Sequence, residues 1–131
     1  MMKTLFIEAT GETPEIHFDA EKAIFTIKGK SFPEETREFF DPVMGWLNDY
    51  ADAPNESTKV TIHMDYYNSS TSVALMEILK TLERIHLKGH EVTIYWLYDL
   101  IDDDMLEAGE EYEDLLKLPF AYKGMEETGE Q

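Results

Sequence analysis

Between Lys59 and Leu97 the chain reads KVTIHMDYYNSSTSVALMEILKTLERIHLKGHEVTIYWL, and the spacing of its apolar residues changes twice. Val60, Ile62 and Met64 alternate with Thr61 and His63 as far as Asp65, the two-residue period of a strand. Further on, Val73, Met76, Leu79, Leu82 and His86 recur every three to four residues, with Leu75, Ile78 and Ile85 beside them. That is the spacing of a helix face. Lys88-Gly89 supplies a basic last turn and a glycine able to end the helix in a left-handed conformation. Val92–Leu97 returns to an apolar strand. Strand, helix and strand in this order predict a crossover whose two strands are parallel neighbours in one sheet.

The flanking pattern supplies the remaining elements. Leu5–Ala9 is a short first strand, and Thr10-Gly11-Glu12-Thr13-Pro14 is a turn cluster. Glu15–Asp19 places Ile16 and Phe18 on one face, Ala23–Ile27 follows a short connection, and residues 15–28 read as an antiparallel hairpin. Ser31-Phe32-Pro33-Glu34-Glu35 resembles a helix start, with Ser31 as the candidate cap. Phe39, Phe40, Val43, Trp46, Leu47 and Tyr50 then repeat at helical spacing over 34–51, an aromatic stripe expected to pack in the core. Pro42 lies inside that stretch and predicts a kink or break near Asp41, and Gly45 loosens it further. Tyr98–Asp104 reads as a loop and an acidic first turn, and Met105, Leu106, Tyr112, Leu115 and Leu116 place a last helix near 103–116. Leu118–Tyr122 fits a short edge strand with Pro119 near its start. The expected class is α/β: a mixed sheet, N-terminal hairpin first and parallel strand-helix-strand crossover second, packed with about three helices. One domain is expected over 1–123, with a disordered acidic tail at 124–131.

Charge narrows the function. There are 28 acidic residues against 11 Lys and Arg, a formal net charge of −17. Nucleic acids and anionic membrane surfaces are disfavoured as partners, because both need a basic face. An aromatic content of 12% argues for a packed core rather than disorder. The absence of cysteine removes disulfides and thiolate metal sites. No signal peptide opens the sequence and no apolar run reaches the length of a membrane span, so a cytoplasmic protein is expected.

The candidate chemistry lies where the first strand of the crossover meets its helix. Asn68-Ser69-Ser70-Thr71-Ser72 sets a capping residue before four consecutive hydroxyls. In an open α/β sheet, strand carboxyl ends and helix amino ends form the functional edge, where free amides and the helix dipole favour negative charge. Phosphorylation of Ser69 or Ser70 would add about −1.5 to −2 of charge there. The plainer reading of the same residues is a serine-rich helix cap. His17, His63, His86 and His90 lack metal-ligand spacing, and Asp102-Asp103-Asp104 lacks the alternation and central glycine of a calcium loop. A phosphate-cradling glycine loop and a nucleophile elbow are also missing. Neither an enzyme nor a metal or other cofactor is expected.

The strand, hydroxyl junction, helix, glycine, strand layout is similar to that of anti-sigma factor antagonist (STAS-type) domains. A closer resemblance is to the SiaC family of bacterial regulatory phosphoproteins. It is carried by Thr13-Pro14-Glu15-Ile16, Gly29-Lys30-Ser31-Phe32-Pro33-Glu34, Phe39-Phe40-Asp41-Pro42-Val43 with Trp46-Leu47, and Tyr67-Asn68-Ser69-Ser70-Thr71-Ser72. Gly89-His90-Glu91-Val92, Tyr95-Trp96 and Pro119-Phe120 complete the set, over roughly residues 5–122. The resemblance implies a non-catalytic partner switch on a STAS-like fold. A cognate Ser/Thr protein kinase phosphorylates the junction hydroxyl, and a PP2C-type phosphatase removes the phosphate. The unphosphorylated form binds and activates an output protein such as a diguanylate cyclase, raising cyclic di-GMP and favouring biofilm formation. Carried over, the acceptor is Ser69, with Ser70 as the alternate, and Tyr67, Asn68, Ser69, Ser70, Thr71 and Ser72 form the partner-binding segment. No glycine follows the acceptor here, unlike the antagonist pattern. An anti-sigma factor antagonist that binds an anti-sigma kinase is the alternative on the same scaffold.

Overall fold

The computed structural model describes residues 2–126. In chain order its elements are β1 (Leu5–Ile7), β2 (Glu15–Asp19), β3 (Ile24–Ser31), α1 (Thr36–Asp52), β4 (Ser57–Tyr67), α2 (Ser69–Leu87), β5 (Glu91–Asp99), α3 (Asp103–Leu115) and β6 (Phe120–Met125). The strands lie side by side in sequence order in one sheet. β1, β2 and β3 pair antiparallel, and β3 through β6 pair parallel. Each parallel step encloses one helix. Such crossovers are right-handed, and three taken in the same direction carry α1, α2 and α3 to one face of the sheet.

Burial follows that geometry. Across the strands, Phe25, Val60 and Ile94 stand in register, as do Ile27, Ile62 and Trp96, and all six side chains are inaccessible to solvent. They meet Val43, Leu47 and Tyr50 of α1, and Leu75, Ile78, Leu79 and Leu82 of α2, in a single core. On the other face the same strands place Thr26, Thr61 and Tyr95 in a half-buried row. The aromatic stripe of α1 is core. Phe25 lies 5.3 Å from the Trp46 ring and 4.9 Å from the Tyr50 ring, edge-on in both cases.

Several elements depart from expectation. β3 does not stop at Ile27. The register shifts between Gly29 (φ 116°) and Lys30, with Asp65 of β4 as the extra unpaired residue, and β3 continues to Ser31, where Lys30 and Ser31 pair with Tyr66 and Tyr67. Ser31 is therefore the buried end of a strand rather than a helix cap, and α1 begins only after Glu35. α1 runs without a break through Pro42, which is exposed, as is Gly45. On α2 the buried face is Thr71, Ala74, Leu75, Ile78, Leu79, Leu82 and Ile85, while Val73 is 63% exposed. Gly89 does close α2 with a positive φ of 100°. Tyr98 and Asp99 belong to β5 rather than to a loop, and β1 is two residues shorter than expected. The structure has three parallel connections where the apolar pattern marked one. The predicted tail overlaps β6, which holds Gly124 and Met125; its residues 127–131 lie outside the described residues.

α3 docks through a close approach. The buried Trp96 indole donates to the Met105 carbonyl at 2.9 Å, and a methyl on Gly109 would come within 2.6 Å of the indole nitrogen. Gly109→Ala gains helix propensity of about 1 kcal/mol but overpacks a fixed ring at a typical cost of about 1–3 kcal/mol. Net destabilisation of about 1 kcal/mol is expected in urea unfolding. A variant as stable as wild type would show that α3 slides freely over Trp96.

Candidate functional site at the β4–α2 junction

β4 delivers the chain to the sheet edge at Tyr67, and Asn68 turns it into α2. The Asn68 backbone is extended (φ −89°, ψ 177°), and its Oδ1 accepts from the Thr71 amide at 2.9 Å. This is an N-cap made by the residue type that suits it. The same Oδ1 also accepts the Ser70 hydroxyl at 3.1 Å.

The four hydroxyls have different fates. Thr71 is fully buried, its Oγ1 lying 2.8 Å from Ser31 Oγ and donating to the Ser31 carbonyl at 3.2 Å. That carbonyl also accepts the Asn68 amide at 3.0 Å. Ser70 Oγ is 2.6 Å from Thr36 Oγ1 at the start of α1. Ser72 Oγ is 3.1 Å from the Tyr112 hydroxyl of α3, which itself donates to the Ser72 carbonyl at 2.9 Å. Ser69 is exposed, in the first position of α2, and its hydroxyl has no hydrogen bond among the described residues. The structure therefore brings Ser69–Ser72 to one edge, as the sequence indicated, but ties three of the four to other elements.

Tyr67 and Tyr112 share the cleft between α2 and α3, about 280 Å³ in volume, with Ser72, Val73 and Glu111. Burial pushes both phenols above the usual tyrosine range, Tyr67 also by its proximity to Tyr112. Both remain neutral hydrogen-bonding groups at ordinary pH. A second and larger groove, about 720 Å³, opens between α1 and α2 and includes Thr36, Arg37, Ser70 and Arg84.

The helix amino ends are charged unequally. Glu38 lies in the first turn of α1, and Asp103 and Asp104 in that of α3, but α2 has no acid there. With 28 acids in the chain, α2 is left with its positive dipole end uncompensated. Away from the junction, His63 Nε2 is 3.5 Å from Asp99 Oδ1 on the open sheet face. Asp102 caps α3 by accepting the Met105 amide at 3.0 Å, which gives the aspartate run a structural role. Among the described residues no group of three His, Asp or Glu is placed to hold a metal ion. No helix among them is long and apolar enough to cross a membrane.

Sequence reasoning missed Ser31, Thr36 and Tyr112, which lie 34 to 40 residues from their hydroxyl partners. No local pattern could have paired them; they follow from the sheet order alone.

These contacts separate the junction residues by their effect on stability. Asn68→Ala is expected to lose about 1 kcal/mol with the cap. Thr71→Val strands the buried Ser31 hydroxyl and is expected to cost about 1–3 kcal/mol. Ser69→Ala should stay within about 0.5 kcal/mol of wild type. Denaturant unfolding of the three variants checks the order; a Ser69→Ala loss as large as that of Asn68→Ala would contradict the assignment of a free hydroxyl.

Residues 7–125 match the family described as SiaC family regulatory phosphoprotein. An uncharacterized protein of Pseudomonas aeruginosa is 30% identical over 126 residues, covering 96% of this chain and all of the relative. The crystal structure of apo-SiaC from Pseudomonas aeruginosa superposes with a TM-score of 0.88 at 30% identity, over 94% of this chain and 100% of that one. The same activator in complex with the diguanylate cyclase SiaD matches with a TM-score of 0.87 at 30% identity, over 92% of this chain and 99% of that one. The six-stranded mixed sheet with three helices is thus the SiaC architecture. The chain belongs to the SiaC family of regulatory phosphoproteins.

Proposed function

We propose that this chain is a non-catalytic, cytoplasmic partner switch whose phosphoacceptor is Ser69. A cognate Ser/Thr kinase adds the phosphate and a PP2C-type phosphatase removes it. The unmodified chain binds and activates an output protein of the diguanylate cyclase kind. Support for the partner comes from the related SiaC, which is known in complex with the cyclase SiaD as its activator.

The observation that carries the choice of residue is the free, exposed Ser69 hydroxyl beside three hydroxyls already engaged. A kinase reaches Ser69 without breaking the fold, whereas Thr71 would have to leave the core. The added charge suits the uncompensated start of α2, so the modified chain keeps its structure. Binding is a different matter. Ser69 shares a helix face with Ser72, Val73 and Met76, at three, four and seven residues' spacing. Ser72, Val73 and Met76 line the α2–α3 cleft, with Glu111 as the charged residue there. A partner packed over exposed Val73 and a neutral serine would meet a desolvated dianion after modification. Loss of binding is the output.

Wild type, Ser69→Ala and Ser69→Asp chains used as bait, with phosphate mapped by mass spectrometry, test this. The Ala variant is expected to retain a cyclase partner, the Asp variant to lose it at least tenfold, and the phosphate to map to Ser69. Equal capture by all three, with no phosphate on 69–72, would reduce the junction to a helix cap.

A further inference from the structure

Ser69 and Ser70 are adjacent, but one step along a helix turns the side chain by about 100°. Ser69 lines neither groove; by helical spacing it shares a face with Ser72, Val73 and Met76 of the α2–α3 cleft, whose lining contains Glu111 and no cation. Ser70 lies on the other side of Val73, in the α1–α2 groove with Ala74, Glu77, Lys80 and Arg84. Its Oγ is 2.6 Å from Thr36 Oγ1, and Arg37 follows Thr36 in the wall of the same groove.

The charges in that groove stand apart from the rest of the chain. Arg37 and Arg84 are the only arginines in the sequence, and both are here together with Lys80. None of the three has a carboxylate within ion-pair distance among the described residues, where the pairs found are Lys28–Glu15 and His63–Asp99. Asp41 and Glu77 are the acids in the wall. Pairing does not set these three apart, since Lys28 is the one Lys or Arg in an ion pair among the described residues; what is particular to this groove is that both arginines lie in it. Guanidinium is the side chain best matched to a phosphate, which it binds through two parallel hydrogen bonds.

We propose that Ser70 is a second phosphorylation site, distinct from Ser69, whose phosphate is received within the chain by Arg37 over the mouth of the α1–α2 groove. The proposal takes from the partner-switch reading only the source of the phosphoryl group. The kinase transfers the terminal phosphoryl group of ATP: the Oγ–P bond forms, the bond to ADP breaks, and the serine proton leaves with the kinase's base. The ester gives up the hydrogen bond that the Ser70 hydroxyl donates to Asn68 Oδ1, keeps oxygens able to accept from Thr36 Oγ1, and gains phosphate acceptors toward Arg37, with Lys80 and Arg84 further along the groove on α2. The two modifications then have different consequences. Phosphate on Ser69 lies beside the α2–α3 cleft, whose one charged lining residue is Glu111, and finds no cation in that lining to pair with. Phosphate on Ser70 folds inward, ties the start of α2 to α1 and occupies the cationic groove.

The test uses full-length protein with phosphoserine installed genetically at position 70 or at position 69, titrated by phosphorus NMR. A phosphoserine ordinarily takes its second ionisation at about pH 6. With Arg37 opposite, the phosphate on Ser70 is expected to titrate about one unit lower, and Arg37→Ala to return it upward. The phosphate on Ser69 is expected to be insensitive to Arg37→Ala. A lowering shared by both forms and unchanged by Arg37→Ala reports the helix amino end alone and overturns the proposal, as does an unshifted phosphate at 70. No partner enters this measurement, so it fails or succeeds independently of the Ser69 pull-down.

Discussion

The junction is held by one backbone carbonyl. Ser31 ends β3 in a fully buried position, and its oxygen accepts both the Asn68 amide and the Thr71 hydroxyl, while its own hydroxyl meets Thr71 again. Three polar contacts in a solvent-free setting cannot be exchanged for water, so losing any one leaves a buried group unpaired. This fixes where the last pair of the parallel β3–β4 ladder stops and where α2 begins. Because Thr71 is pinned, the rotation of the first turn is set. Ser69 and Ser70 therefore face outward on either side of Val73 rather than sharing one groove.

The sheet order supplies the rest of the site. Parallel strands taken in sequence put all their carboxyl ends, and all three helix amino ends, along one edge. Thr36 at the start of α1 and Tyr112 on α3 thereby reach hydroxyls on α2 from opposite sides. A sheet covered on one face alone also leaves α2 flanked by two grooves, and the acid-rich α3 and the arginine-bearing α1 give those grooves opposite electrostatic character.

What the sequence disclosed was local chemistry. β2 was read at its observed limits because Ile16 and Phe18 alternate on a half-buried strand, and Asn68 was legible because capping needs only the next three residues. Ser31 misled for the same reason. Followed by Pro33 and two glutamates it has the composition of a helix start, but pairing of Lys30 and Ser31 with Tyr66 and Tyr67 overrides that local preference. Val73 misled in the other direction. It fits the apolar period, but the small polar Thr71 takes the inner position, so Val73 is turned out beside the candidate acceptor.

Net charge and local field act in opposite senses at this edge. A chain at −17 resists a further dianion, yet the start of α2 is the one helix amino end among the three with no acid in its first turn. Long-range repulsion is screened within about 8 Å at physiological salt, whereas the dipole and free amides act at contact. The local term therefore governs whether the chain tolerates the phosphate, and the longer-range term is felt by whatever docks over it. A partner surface, unlike the helix, has no amides aimed at the new charge and loses water in meeting it. On the proposed reading, a phosphate here would be mild for the fold and severe for a complex, which is the asymmetry a switch requires.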